Sequence, residues 1–181
     1  MKIKAFLIVL ALQIALLVGL ITQQEFRLAS GRTVLLETAP VDPRDLLRGD
    51  YVILNYKITT LPKSLFSSQM SSLPEPGASV FIVLEKRGAY HEAVSANLTL
   101  PDHADQLLVI QGKVRRSWGG GTNSTVQVDY GIERFYVREG TGSPKGKLTV
   151  EAALSKYGQA LIKQVFIDGK PYAEVMRAAT K

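Results

Sequence analysis

Residues 49–56 read Gly-Asp-Tyr-Val-Ile-Leu-Asn-Tyr and open a stretch with the period-two pattern of a β-strand. Side chains two positions apart share one face of a strand, so the strand predicted over residues 51–58 has two unlike faces. One face carries Val52, Leu54, Tyr56 and Ile58, and the other carries Tyr51, Ile53, Asn55 and Lys57. Gly49 permits a tight bend before the strand. We predict that Tyr56 lies in the core and that Tyr51 lies at the surface.

The remaining residues of this stretch allow two interpretations. In the first, Leu54 and Tyr56 fill the core while Tyr51 packs under a neighbouring loop, because buried aromatic side chains commonly stabilise a fold. In the second, Arg48, Asp50 and Tyr51 form a recognition edge for a protein or a glycan. The first interpretation is favoured, and the second stays open.

The period-two pattern recurs along the chain and predicts a mainly β, antiparallel fold, either a sandwich or an open barrel. Further strands are predicted at residues 33–38, 79–85, 91–100, 107–115, 125–130, 134–138, 147–154 and 160–167. Short helices are predicted at residues 43–47, 62–67 and 172–179. Because Tyr157-Gly158 interrupts residues 151–164, a hairpin is favoured there over a helix. Asp168-Gly169 supplies the positive φ values that a tight hairpin turn needs.

Residues 5–21, AFLIVLALQIALLVGLI, are apolar except for Gln13. At about 1.5 Å of rise per residue, a helix over this stretch nearly crosses a hydrocarbon core of about 30 Å. Lys2 and Lys4 precede it and favour a cytoplasmic N-terminus, with the rest of the chain outside the cytoplasm. A removed signal peptide is the alternative, but its apolar region is usually shorter. The sequence therefore predicts one N-terminal transmembrane helix in the cell membrane and an exported body.

The predicted organisation is a membrane anchor with its juxtamembrane segment at residues 1–30 and a single extracytoplasmic domain at residues 31–181. The formal net charge of the chain is +6, and its basic residues are scattered, which disfavours a nucleic-acid partner. The sequence contains no cysteine. Disulfides, thiol catalysis and cysteine-based zinc sites are therefore excluded.

The octapeptide at residues 49–56 matches the pattern G-D-Y-x-x-L-x-Y at every fixed position. The chain thereby resembles the GDYXXLXY domain family, a group of bacterial membrane-associated proteins named after that string. Residues 40–48 and 130–140 also resemble the family, so the likeness covers nearly the whole exported body. The resemblance implies no established activity. It implies a membrane-protein partner, because some relatives carry this domain fused or adjacent to multi-spanning membrane proteins.

Two further sets of residues are candidates for a binding site. Glu133 and Arg134, with Glu139 close in sequence, form an acidic–basic set that closes a strand or lies near Asp50 in space. Trp118 precedes three glycines between two predicted strands. It either caps the core or stands exposed, where it would dock a partner or touch lipid.

No catalytic template fits the chain well. A serine–lysine hydrolase needs a serine before the strand that Gly49 and Asp50 open, and residues 31–50 contain none. His91 and His103 are the two histidines and do not form a close pair, so neither a catalytic triad nor a zinc site is expected. We predict no metal and no cofactor.

These observations predict a membrane-anchored extracytoplasmic β domain of unknown activity, which serves as a structural or protein-interaction module of an envelope or membrane-protein complex. A non-enzymatic role is favoured. The alternatives are an envelope hydrolase that uses the carboxylates of Asp50, Glu133 and Glu139, or a module that binds a lipid or a glycan.

Overall fold

In the computed structural model, the described residues are 2–39, 51–66, 72–119, 124–137 and 146–179. Within these ranges the side chains of residues 2, 5, 23–30 and 179 are not described. Arg48, Gly49, Asp50 and Glu139 lie outside the described residues, as does the helix predicted at residues 43–47.

The described ranges contain two α-helices and eleven strands. The helices are α1 (Lys2–Ser30) and α2 (Tyr172–Ala179). The strands are β1 (Arg32–Glu37), β2 (Tyr51–Ile53), β3 (Thr60–Pro62), β4 (Ser79–Arg87), β5 (Tyr90–Asn97), β6 (Leu108–Trp118), β7 (Thr125–Asp129), β8 (Arg134–Tyr136), β9 (Leu148–Leu154), β10 (Ala160–Ile167) and β11 (Lys170–Pro171).

The strands pair in three antiparallel sheets. One sheet has the order β3-β7-β6-β4-β5, a second has the order β1-β9-β10-β11, and β2 pairs with β8 in the third. The backbone N–H of Leu35 in β1 donates to Nδ1 of His91 in β5 at 3.0 Å, which brings the two larger sheets side by side. The result is a nearly closed, barrel-like arrangement. The predicted mainly β, antiparallel fold is therefore confirmed.

The core of the barrel is built from the inward faces of alternating strands. In β4 the burial alternates along the strand, with Val80, Ile82 and Leu84 inside. Valines and isoleucines of β6 and β7 and residues of β1 and β9 complete this cluster. Each large apolar side chain removed from water contributes about 1.5–3 kcal/mol, so this cluster is the main stabilising feature of the domain.

Several local predictions are confirmed. Residues 151–164 form the hairpin of β9 and β10, with a turn at Tyr157-Gly158. Asp168 and Gly169 have φ values of 49° and 79°, as the tight turn between β10 and β11 requires. The C-terminal helix coincides with α2.

Two predicted elements near the motif are wrong in their secondary structure. The strand predicted over residues 51–58 ends at Ile53, and Lys57–Thr59 forms a 3-10 helix. The helix predicted over residues 62–67 is a 3-10 helix at Lys63–Leu65, because Thr60–Pro62 pairs with β7 as strand β3; residue 67 lies outside the described residues. Proline is compatible with this position, since β3 lies at the edge of its sheet.

The N-terminal apolar segment is helical, as part of α1. Its described large apolar side chains, from Ile3 to Ile21, are exposed. Among the residues whose placement is described, no helix is both sufficiently long and sufficiently apolar to span a bilayer.

Gly112, in β6, packs closely against the neighbouring strand β7. A Cβ atom there would overlap Cγ1 of Val128 and lie 3.0 Å from the carbonyl oxygen of Asp129. We predict that Gly112→Ala lowers the free energy of unfolding by about 1–3 kcal/mol, because the core cannot accept the added methyl group without strain.

Chemical denaturation of the purified protein measures this effect. Gly19→Ala is the control, because nothing lies within 4 Å of the corresponding Cβ position in α1. Equal stability of the two variants would contradict the predicted close packing at Gly112.

Candidate functional site

Two buried tyrosines link the segment that follows β2 to the segment that precedes β8. Tyr56 is 1% exposed, and its hydroxyl donates to the carbonyl oxygen of Ile132 at 2.6 Å. The hydroxyl of Tyr130 donates in the opposite direction, to the carbonyl oxygen of Ile58, also at 2.6 Å. Each segment thus supplies one donor and one acceptor, and the two bonds hold the segments together reciprocally.

Burial raises the pKa of both phenols far above the usual value, and the nearby carboxylate of Glu133 raises it further. Both hydroxyls therefore stay protonated at any physiological pH. Because a protonated phenol can donate, the two bonds to backbone carbonyls persist under the same conditions.

Further hydrogen bonds fix the backbone around the two tyrosines. The backbone N–H of Leu54 donates to the carbonyl oxygen of Glu133 at 2.8 Å. The carboxylate of Glu133 accepts from the backbone N–H of Tyr130. The backbone N–H of Tyr56 donates to Oγ1 of Thr59 at 3.2 Å, at the start of the 3-10 helix Lys57–Thr59. Glu133 therefore has a local structural role.

The outward side of β2 and β8 carries the residues that we name the tyrosine–arginine face: Tyr51, Ile53, Arg134 and Tyr136. Tyr51 pairs with Tyr136, and Ile53 pairs with Arg134. The two tyrosine rings lie 5.9 Å apart at an interplanar angle of 59°. The guanidinium carbon of Arg134 lies 5.4 Å from the centre of the Tyr51 ring, within the range of a cation–π interaction.

The inward side of the same two strands packs on α2. Val52, which pairs with Phe135, is buried. The ring of Phe135 meets that of Tyr172 edge to face, with ring centres 5.3 Å apart and an interplanar angle of 78°. This contact stabilises the two-stranded sheet, because a pair of three-residue strands is only marginally stable by itself.

A groove of about 850 Å³ runs beside the tyrosine–arginine face. Its opposite side belongs to β6 and β7, where Arg115, Gln127 and Asp129 contribute. Nε of Arg115 lies 3.6 Å from Oδ2 of Asp129. Most of the lining side chains are polar or charged, so the groove suits a polar ligand or a polypeptide better than an acyl chain.

A family model described as GDYXXLXY protein matches residues 13–165. The chain belongs to the GDYXXLXY family. The matched region of this GDYXXLXY protein includes β2, β8 and both buried tyrosines. No curated protein and no solved structure matches the chain.

The motif residues of this GDYXXLXY protein fall into two groups. Leu54 and Tyr56 are in the core, as predicted, and Tyr51 is half-buried on the outward face. The sequence-based assignment of the two tyrosines to opposite sides is therefore confirmed. Whether Arg48 and Asp50 extend the tyrosine–arginine face stays a prediction, because both lie outside the described residues.

The other predicted candidates are not all in one place. Glu133 and Arg134 line the groove, whereas Trp118 ends β6 and is not among its lining residues. Trp118 is 43% exposed, and the guanidinium of Arg116 lies 5.0 Å from its ring centre. The interpretation that Trp118 caps the core is thus wrong.

Sequence reasoning missed several groove residues. Tyr136 shares a face with Arg134 by strand alternation, so the RFYVR stretch contained a signal for the aromatic pair. Arg115, Gln127 and Asp129 had no such signal, because their position depends on which strands become neighbours.

The residues considered for catalysis have the following surroundings in the described part of the chain. They contain no cluster of three or more His, Asp or Glu side chains that could hold a metal ion. Of the three carboxylates proposed for a hydrolase, Glu133 alone is described, and it accepts a hydrogen bond from a backbone N–H. Nδ1 of His91 accepts the backbone bond from Leu35, so this ring nitrogen has a structural partner.

Glu37 makes two salt bridges, and the one with Lys57 links the segment after the motif to the sheet that contains β1. Glu37, at the end of β1, lies 2.6 Å from Nζ of Lys57 and 2.5 Å from Nζ of Lys147. Hydrogen bonds from Lys147 and then from Lys57 hold the pKa of the Glu37 carboxyl below its usual value. The ionised carboxylate is therefore the form that the fold favours.

We predict that removal of either tyrosine hydroxyl destabilises the domain. Tyr56→Phe and Tyr130→Phe each leave a buried carbonyl without its donor, which costs about 1–3 kcal/mol of unfolding free energy. Urea denaturation measures the loss. Tyr136→Phe is the control, because that side chain is 71% exposed. If all three variants unfolded at the same urea concentration as the wild type, the reciprocal bonds would have no energetic significance.

A second prediction concerns acid stability. Because the folded-state pKa of Glu37 is depressed, its contribution is present above the unfolded-state pKa and is lost as the pH falls through the folded-state pKa. The melting temperature of Glu37→Gln should therefore depend less on pH than that of the wild type, in the window below about pH 5.

Glu92→Gln serves as the matched control, since Glu92 has a longer and exposed contact, 3.8 Å from Arg87. Thermal melts between neutral and acidic pH measure how the melting temperature of each variant changes with pH. If the melting temperatures of the wild type and Glu37→Gln changed equally with pH, the stabilising role of the ionised Glu37 carboxylate would be refuted.

Proposed function

We propose that this GDYXXLXY protein is a membrane-tethered extracytoplasmic module that binds a polypeptide segment of a membrane-protein partner at its tyrosine–arginine face. The observation that carries the proposal is the outward pairing of Tyr51 with Tyr136, with Arg134 over the Tyr51 ring. The module acts by binding, and it needs no metal or cofactor for this role.

The membrane tether is supported by the surface of α1. Its described large apolar side chains are all at least 40% exposed, up to 76% for Ile3. A continuous apolar surface of this kind is unfavourable in water and favours a lipid or protein environment. Lys2 and Lys4 at its start favour retention of the N-terminus in the cytoplasm, which leaves the β domain on the outer side.

The choice of a polypeptide as ligand follows from the chemistry of the face. Tyrosine and arginine are enriched among the residues that dominate the energy of protein interfaces. Tyr136 is largely exposed, and Arg134 makes no ion pair within the described part of the chain. A carboxylate on the partner would therefore find an arginine able to form a charge-assisted hydrogen bond.

The rigidity of the face also supports binding. The Phe135–Tyr172 contact and the two tyrosine hydroxyl bonds hold β2 and β8 from behind. A preorganised surface loses less conformational freedom on association. The resemblance to relatives that adjoin multi-spanning proteins makes an integral membrane protein the expected partner.

Site-specific photo-crosslinking in intact cells tests this proposal. A photoreactive residue at position 136 should give one specific adduct with an integral membrane protein. Tyr51→Ala and Arg134→Ala should each reduce the yield about tenfold, as expected for loss of an interface anchor of about 1.4 kcal/mol or more.

Two controls make the result specific. Arg87→Ala removes an exposed arginine from a different strand and should leave the yield unchanged. A photoreactive residue at Ala89, in the turn between β4 and β5, should not give the same adduct. If the adduct formed equally from position 89, or if Tyr51→Ala and Arg134→Ala left the yield unaltered, the tyrosine–arginine face would not be the binding site.

A further inference from the structure

The end of the β domain next to α1 is defined by contacts of Arg32. α1 ends at Ser30, and β1 begins two residues later at Arg32. The Arg32 guanidinium donates to the carbonyl oxygens of Ala104 and Asp105, in the connection between β5 and β6. Arg32 also pairs with Leu154, the last residue of β9. The β5–β6 connection and the β9–β10 turn therefore lie near the base of α1.

These two connections contain four exposed apolar or aromatic side chains. Leu98, Leu100 and Leu107, all in the β5–β6 connection, are 37–44% exposed. Tyr157, in the β9–β10 turn, is 56% exposed, and Nζ of Lys156 lies 4.8 Å from its ring centre. We name these four apolar residues the proximal patch: Leu98, Leu100, Leu107 and Tyr157.

The turn and the connection are joined at the start of β6. The backbone N–H of Gln111 donates to the carbonyl oxygen of Gly158 at 2.7 Å. Leu107 directly precedes β6, and Tyr157 directly precedes Gly158. Leu107 and Tyr157 thus lie on neighbouring connections, and the chain from Leu98 to Leu107 runs from the level of Phe81 to that of Leu84 on β4.

We infer that the proximal patch rests on the lipid surface, with its leucines in the boundary between headgroups and acyl chains. The inference rests on the proposed membrane tether, because α1 would hold this end of the domain at the bilayer. Leucine and tyrosine side chains gain favourable burial in that boundary, and tyrosine is enriched there. Lys156 can extend its ammonium group towards the headgroups while its stem stays in apolar contact.

Burial of apolar surface is the driving force, and charge has a minor part. Arg32 and Lys156 supply positive charge at this end, and the exposed Asp102 and Asp105 supply negative charge. Because these charges balance, the contact does not require anionic lipid. Zwitterionic vesicles are therefore the appropriate membrane for the test.

The β4–β5 turn provides a reference position away from Arg32. Nζ of Lys147 lies 4.7 Å from the Tyr90 ring centre and is also paired with Glu37, which ends β1. The turn that contains Ala89 is therefore near the end of β1, whereas Arg32 is at its start. Six strand residues separate the two ends of β1 by about 17–20 Å.

The absence of cysteine from the sequence allows single-cysteine labelling of the full chain. Leu100→Cys, Leu107→Cys, Ala89→Cys and Leu12→Cys are each labelled with an environment-sensitive fluorophore. The labelled proteins are reconstituted in phosphatidylcholine vesicles with or without lipids that carry a nitroxide quencher near the headgroup. Labels at positions 100 and 107 should shift their emission to shorter wavelength and lose intensity to the quencher, whereas the label at position 89 should do neither.

The label at position 12 separates the proposed membrane tether from the inferred contact of the proximal patch with lipid. If acyl-chain nitroxides quench position 12 while positions 100 and 107 respond no more than position 89, the tether is upheld and the inference is overturned. Equal quenching at positions 89, 100 and 107 also overturns it, because the contact would not be specific to one end. If position 12 is not quenched, the tether and the inference both fail.

Discussion

The geometry of the tyrosine–arginine face depends on two hydrogen bonds between tyrosine hydroxyls and backbone carbonyls. Tyr56 and Tyr130 each donate to the segment that carries the other, so segments far apart in sequence are held in one register. β2 and β8 are only three residues long and could not maintain this register by their own pairing. The hydroxyl bonds fix the backbone immediately next to both strands and so determine where their outward side chains lie.

This arrangement explains why the motif contains two tyrosines with different roles. The inward tyrosine, Tyr56, combines a large buried ring with a donor that satisfies a carbonyl in the core. The outward tyrosine, Tyr51, contacts Tyr136 and Arg134 at the surface. Phenylalanine would fill the volume of Tyr56 without the bond, which gives the fold a reason to require tyrosine at that position.

Much of the fold follows from the period-two pattern in the sequence. Nearly every predicted strand exists, since β-branched and alternating residues describe a half-buried strand regardless of its partners. The inward positions of the motif were also predictable, and they stay buried even where the chain leaves the strand for a 3-10 helix after Tyr56. Buried and exposed side chains still alternate there because the buried ones pack in the core, although the backbone does not remain extended.

The candidate site was less predictable because it depends on strand neighbours. No local pattern indicates that Arg115 and Asp129 line the same groove as Tyr51, since this follows from the order of strands in two sheets. Strand β3 was missed for a related reason: Pro62 suggests a turn unless the strand lies at a sheet edge, which only the tertiary structure determines. Local sequence thus predicts faces, and tertiary pairing determines which faces meet.

Native-state hydrogen exchange at the Leu54 amide tests this account most directly, because that N–H bonds to the Glu133 carbonyl beside both tyrosines. In Tyr56→Phe, protection of Leu54 should fall by more than protection of Ile82 in the central sheet, since the lost hydroxyl bond loosens the β2–β8 region locally. An equal fall at both amides, or no change at Leu54, would contradict the claim that the tyrosine hydroxyls hold the tyrosine–arginine face in place.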